Sequence, residues 1–213
     1  AYYGFQIDLN TSFTGEDSLD ISIDAGNAGG AVTEFDLNGA VTASDSSTTT
    51  DVLNVDGVSY TFPVGGATVF VGDNTDGSAL FSTACVYGGP SNTLDDCGNV
   101  SANFVGGGTS AGASIDFENG FTAAVGYAGT GSSTSGLLTE EGLDSYGANV
   151  AYTGDNYGVS LTYSMTETDE AGGTEEDTFT ALNAYYTPDS FPASLSFGYE
   201  WGVDGSKAAT VDE

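Results

Sequence analysis

The sequence predicts an all-β protein, an antiparallel up-and-down transmembrane β-barrel represented by about twelve strands of an incomplete barrel. Three observations predict it. Apolar and polar residues alternate with period two through much of the chain, which is the mark of strands with two different faces. No apolar run approaches the roughly 20 residues that a membrane-spanning helix needs. Aromatic residues stand near both ends of the best-defined apolar strips.

Composition narrows the function classes. One Lys or Arg against thirty-one Asp or Glu gives a formal charge of −30, and there is no His. Nucleic-acid binding is excluded, because affinity for phosphate backbones comes from Lys and Arg. Attachment to anionic lipid through basic residues is excluded for the same reason. Twelve Tyr, twelve Phe and the regular alternation supply apolar surface that disordered chains lack, so the chain should fold. Thirty-two Gly and only four Pro fit many short strands joined by turns. Residues 1–213 read as a single domain truncated at both ends, since there is no initiator Met or signal peptide and the last residues, from Lys207 to Glu213, are small and polar.

In chain order, the first arms are residues 2–10 and 18–26. Weaker arms follow near 33–43, 51–55, 58–62 and 67–72, with Asp56 and Gly57 as a hairpin signal between two of them. Residues 111–128 make a hairpin around Glu118, Asn119 and Gly120. A three-residue loop with left-handed Gly120, pairing Phe117 with Phe121 and Ile115 with Ala123, keeps the apolar sets on one face. Next, a turn at Gly154 and Asp155 would pair Tyr152 with Tyr157, Val150 with Val159, Ala148 with Leu161, and Tyr146 with Tyr163. The final hairpin joins 178–187 to 193–201 through 188–192, and its second arm carries Leu195, Phe197, Tyr199 and Trp201 on one face. Long connections (73–110, 129–143, 166–177) alternate with short ones (118–120, 154–155, 188–192), and the short connection at 13–17 is in the same phase, as in outer-membrane barrels.

The faces carry the expected sites. Opposite the apolar strips stand Asp8, Asp20, Asp24, Asp116, Asn149, Asn183 and Glu200, which suit a hydrated pore lining. An ordinary solvated face of an antiparallel sheet would look much the same. Tyr146 and Tyr152 lie six residues apart on one strip, as do Tyr157 and Tyr163, roughly 20 Å at about 3.4 Å per residue. With Tyr127, Tyr186, Tyr199 and Trp201 they resemble the aromatic girdles that flank a lipid-facing band. The competing reading is a sandwich core that uses Tyr, whose hydroxyls would then need buried partners.

Cys85 and Cys97 enclose an acidic, Gly- and Ser-containing stretch. A disulfide formed in an oxidising compartment is expected, with two free thiols as the alternative. No His or further Cys completes a zinc site. The connection 73–110 is the candidate for folding inward as a constriction, against a simple role as an external loop. Residues 167–177 could gather Ca²⁺ or Mg²⁺ weakly, while 73–77 matches the start of an EF-hand loop without its closing Glu.

The segment 9–27 (LNTSFTGEDSLDISIDAGN) resembles the signature of cyanobacterial outer-membrane porins of the carbohydrate-porin type. Residues 59–73, 84–98, 114–129, 136–163 and 191–202 resemble their marine picocyanobacterial branch, in order along the chain. The resemblance implies a barrel of about sixteen strands in the outer membrane, preceded in full-length members by a peptidoglycan-anchoring surface-layer homology domain and a coiled coil. Family members commonly carry basic residues in the signature, where this chain has Glu16, Asp20 and Ser22, so ion selectivity does not transfer.

No catalytic activity and no cofactor are expected: Lys207 is the sole base, and no Gly-x-Ser-x-Gly elbow or phosphate loop is present. Chance pairs among thirty-one acids are a weak basis for glycoside hydrolysis. The expected function is passive diffusion of small solutes and ions through an outer-membrane pore in contact with lipid, cation-preferring because acid rings attract cations. The acidity also fits general adaptation to salt. Oligomer formation stays open, and the competing class is a secreted acidic Ca²⁺-binding β-sandwich adhesin or surface-layer protein.

Overall fold

A computed structural model describes residues 4–26, 53–86, 97–104, 108–129, 142–170, 173–190, 192–203 and 205. Among the described residues ten strands form one antiparallel sheet in which each strand pairs with its neighbours in sequence. They are β1 (Gly4–Thr11), β2 (Ser18–Gly26), β3 (Asn54–Val64), β4 (Ala67–Asp73) and β5 (Thr109–Asp116). There follow β6 (Phe121–Gly129), β7 (Asp144–Thr153), β8 (Tyr157–Glu170), β9 (Gly173–Tyr186) and β10 (Leu195–Val203). The all-β, up-and-down expectation is therefore met, and the arm read at 33–43 lies outside the described residues.

The register puts every apolar series on the same side. Ile7 pairs with Ile23 and Leu9 with Ile21, then Tyr60 with Val71, Val125 with Ala148, Val150 with Leu161, and Leu182 with Tyr199. Side chains alternate across a strand, so the intervening residues must occupy the opposite, polar face. That face carries Asp8, Asp20, Ser59, Ser110, Asn149, Thr162, Asn183 and Glu200.

At residues 117–121 the turn is as the sequence predicts. Ile115 pairs with Ala123, the Phe117 N–H donates to the Phe121 carbonyl at 3.0 Å, and Gly120 has φ +88°. The β7–β8 hairpin differs by two residues from expectation: Tyr152 pairs with Val159, Ala148 with Tyr163 and Tyr146 with Met165. The Gly154 N–H donates to Tyr157 O at 2.8 Å, which puts Asp155 and Asn156 at the tip in place of Gly154 and Asp155. Because the slip is an even number, every side chain keeps its face.

Two further expectations are corrected. Asp56 and Gly57 make no hairpin; they lie inside β3, where Ser22 pairs with Gly57 and Ile23 with Val55, leaving Asp56 as the extra residue of a β-bulge. Gly57 is there for space, since a Cβ would meet the Asn74 carbonyl oxygen at 2.7 Å. The real reversal is at Gly65 and Gly66, between paired Val64 and Ala67, with Gly65 at φ +64°. Likewise, 166–177 is mostly paired strand. Thr166 faces Asp177 and Glu167 faces Glu176, and only residues 171 and 172 separate β8 from β9.

In this meander the connections 12–17, 65–66, 117–120, 154–156 and 187–194 share one end of the sheet. At the other end are 27–53, 74–108, 130–143 and the β8–β9 tip. The β8–β9 tip at that end stands on the two longest of the described strands.

Candidate functional site

The sheet has the reverse of the usual polarity. On the apolar face Val150 is 51% exposed, Leu161 50%, Phe197 59% and Trp201 45%. On the polar face Thr162, Ser164 and Asn183 are each 0% exposed, and Asn149 is 2%. All described strands belong to this one sheet, so among the described residues no second sheet covers the apolar side.

The polar side is covered by the chain itself. Connection 74–108 crosses β6 to β10, held by side chains whose position on the polar face the register dictates. The Asn149 amide accepts from the Ser82 N–H at 2.9 Å, donates to Ser82 O at 3.2 Å and donates to Thr162 Oγ1 at 2.8 Å. The Ala84 N–H donates to Ser160 Oγ at 2.8 Å, and the Val86 N–H to Ser196 Oγ at 3.1 Å. Asn183 Nδ2 donates to Cys97 O at 2.6 Å. Glu200 accepts from the Ser101 and Ala102 N–H groups at 3.0 and 2.8 Å. These bonds satisfy loop amides that burial would otherwise strand, each at a cost of about 1–3 kcal/mol.

Glycines let the loop lie close. A Cβ on Gly126 would overlap the Gly77 carbonyl oxygen, and one on Gly198 would overlap the Cys97 carbonyl oxygen. A Cβ on Gly147 would meet the Phe104 ring at 2.9 Å. Glycine inside a strand often marks such an approach of another backbone. Phe70 points to the polar face and is buried over Gly112, while Phe81 and Phe104 meet edge-on at 5.9 Å. A small apolar layer therefore seals the loop onto the hydroxyl- and amide-bearing strands. Cys85 and Cys97 are disulfide-bonded, with Cα atoms 6.2 Å apart.

The expected lining residues divide into two groups. Asn149, Asn183 and Glu200 lie beneath the loop and bind it. Asp8 and Asp20 lie on the part of the polar face that these loop contacts do not reach. There Ser22 Oγ donates to Asp8 Oδ1 at 2.7 Å, Ser18 Oγ donates to Asp20 Oδ2 at 2.7 Å, and Asn10 Nδ2 donates to Asp20. Asp24 takes the register position opposite Gln6, and its side chain is not among those described. Asp116 is at a strand end and accepts from the Glu118 N–H at 2.8 Å. Beside the loop a cleft of about 320 Å³ is lined by Asp20, Ser22, Asp56 and Ser59 from the strands and by Thr75 and Asp76 from the loop. Crowding by the surrounding protein pushes the Asp76 carboxyl above its ordinary value.

The aromatics fall into rows. Toward the short-turn end, Phe121 and Tyr152 have ring centroids 4.8 Å apart, Tyr152 and Tyr157 are 5.6 Å apart, and Tyr157 pairs with Tyr186. Toward the other end, Tyr127 pairs with Tyr146, and Tyr163 and Trp201 both pair with Thr180. Tyr199 packs against Trp201 at 5.6 Å. Tyr127 turns its hydroxyl to Asp144 Oδ1 at 2.6 Å.

Sequence reasoning missed the carboxylate that organises the first turn. Asp17 accepts from Ser12 Oγ at 2.5 Å, from the Thr14 N–H and Oγ1 at 2.8 Å, and from the Phe13 N–H at 3.0 Å. The spacing Ser12, Thr14, Asp17 is the available signal, since Ser, Thr and Asp side chains bind nearby backbone in turns. No group of metal-binding side chains is present among the described residues. No protein-family model matches the chain, and no curated protein matches it at a significant level.

Proposed function

We propose that the chain builds the wall of an outer-membrane porin, a water-filled channel through which small solutes and ions diffuse passively with a preference for cations. The observation that carries this reading is the inverted polarity: Val150, Leu161, Phe197 and Trp201 are exposed while Thr162, Ser164 and Asn183 are buried. Apolar surface in water costs about 25 cal/mol per Å², and soluble monomers rarely expose a contiguous patch beyond a few hundred Å². A bilayer removes that cost. The two aromatic rows, roughly 20 Å apart on β7 and β8, match the girdles at either side of a lipid-facing band. Strands paired in sequence order, with short turns at one end, fit the same architecture. The likeness of residues 9–27 to cyanobacterial porins of the carbohydrate-porin type points to the same function.

Such a channel needs no reacting group. Its wall offers hydroxyls, amides and carboxylates to water and solute, and its carboxylates raise the local concentration of cations. The full-length protein in a planar bilayer should give stepwise ionic conductance and, in a salt gradient, a reversal potential of the sign set by cations. Absence of conductance, together with extraction into buffer without detergent, would turn the assignment to a secreted acidic Ca²⁺-binding protein.

A further inference from the structure

The polar face is not equivalent from one edge of the sheet to the other. From β6 to β10 it is filled by connection 74–108: Ser160 and Asn183 are 1% and 0% exposed, and both bind loop backbone. Nothing permeating can touch these side chains while the loop is seated. On the polar face of β1, Gln6, Asp8 and Asn10 are exposed, as Ile7 and Leu9 are on its other face, and on β2 and β3 Asp20, Ser22 and Ser59 are half-buried, with no described loop residue bonded over them. The boundary between the two regions is the 320 Å³ cleft, which carries Asp20 on its strand side and Asp76 on its loop side.

We propose that solute passes on one side of the polar face only, between β1–β3 and the flank of connection 74–108, and that Asp20 and Asp76 set its cation preference. The proposal rests on the channel reading above and names the residues through which that channel selects. Charge acts here because of where it lies. At 0.15 M salt the screening length is about 8 Å, so a carboxylate counts only if it borders the path. Asp20 and Asp76 border the cleft from opposite elements, so an ion crossing it is within that length of both walls. Asp116, held in a turn by the Glu118 N–H, does not line it.

The test uses the full-length protein in planar bilayers across a salt gradient. The double variant Asp20→Asn, Asp76→Asn should still conduct and should lose part of its cation preference, Asp56 and Asp8 being left on the same side, with the reversal potential moving toward zero. Asp116→Asn should leave the reversal potential where it was. A second measurement guards against misfolding of the double variant: in an otherwise native protein, Ser59→Cys should react with a charged thiol reagent and change the current, while Ser160→Cys should not. Conductance with an unchanged potential in the double variant, or equal reactivity at both cysteines, overturns the one-sided path and leaves the channel reading standing. A wild-type protein without conductance overturns both.

Discussion

The Tyr60 hydroxyl donates to Asp17 at 2.5 Å, so a strand of the second hairpin is tied to the turn of the first. Together with the bonds from Ser12 and Thr14, this holds the Asp17 carboxyl far below the usual carboxylate range, the Ser12 hydroxyl contributing most. A depressed carboxylate stabilises the fold at pH above its unfolded value of about 3.9 and loses that contribution as pH falls toward its folded value. Asp17→Asn should therefore lower the thermal unfolding temperature at pH 7, and the gap between variant and wild type should narrow progressively as pH falls below about 4. Unfolding in detergent across a pH series measures this, and a gap independent of pH would contradict it.

Val150 is paired with Ala123 and Leu161, between the aromatic rows. Val150→Arg should destabilise the bilayer-inserted protein by about 2–4 kcal/mol, the cost of Arg near a bilayer midplane. Urea unfolding in liposomes reads this out. An effect near zero would mean that the apolar face meets water.

Gly198 lies against the Cys97 carbonyl. Gly198→Ala should leave the sheet folded and push connection 74–108 off β10, because the obstacle is backbone on both sides. The expected result is a larger single-channel conductance with unchanged heat resistance. An unaltered conductance would show that the seated loop does not obstruct flow.

The disulfide between Cys85 and Cys97 closes a short loop, and such bonds contribute roughly 2–3 kcal/mol. Cys85→Ser with Cys97→Ser should lower stability by that order. Asn149→Ala should cost about 1–3 kcal/mol, since Ser82 would lose both bonds to the amide. Paired denaturation curves for the two variants check both figures.

The faces of the sheet were legible in the sequence and much of the rest was not, for reasons specific to each place. Period two assigns a face to every residue of β7 and β8 even though the pairing of Tyr152 is with Val159 and not Tyr157, because an even slip conserves sidedness. Asp56 and Gly57 mislead because a glycine serves equally for reversal and for close approach, and only the position of Asn74 distinguishes these uses. The outer parts of β8 and β9 are hidden because Thr, Glu and Asp occupy both faces there, leaving no alternation to read. Asn149 and Asn183 are legible as polar-face residues. That their partners are the backbone of Ser82 and Cys97 depends on contacts 67 and 86 residues distant in sequence. Gly126, Gly147 and Gly198 on the polar face were the available hint, as places where something must come close.

Glu167 stands directly across from Glu176 where β8 and β9 run on past their apolar stretch. Cross-strand partners of like charge about 5 Å apart repel, and the repulsion fades as the screening length drops from about 30 Å at 0.01 M salt to about 3 Å at 1 M. Like charge at this pair therefore works against the β8–β9 pairing in dilute solution, and added salt weakens that opposition.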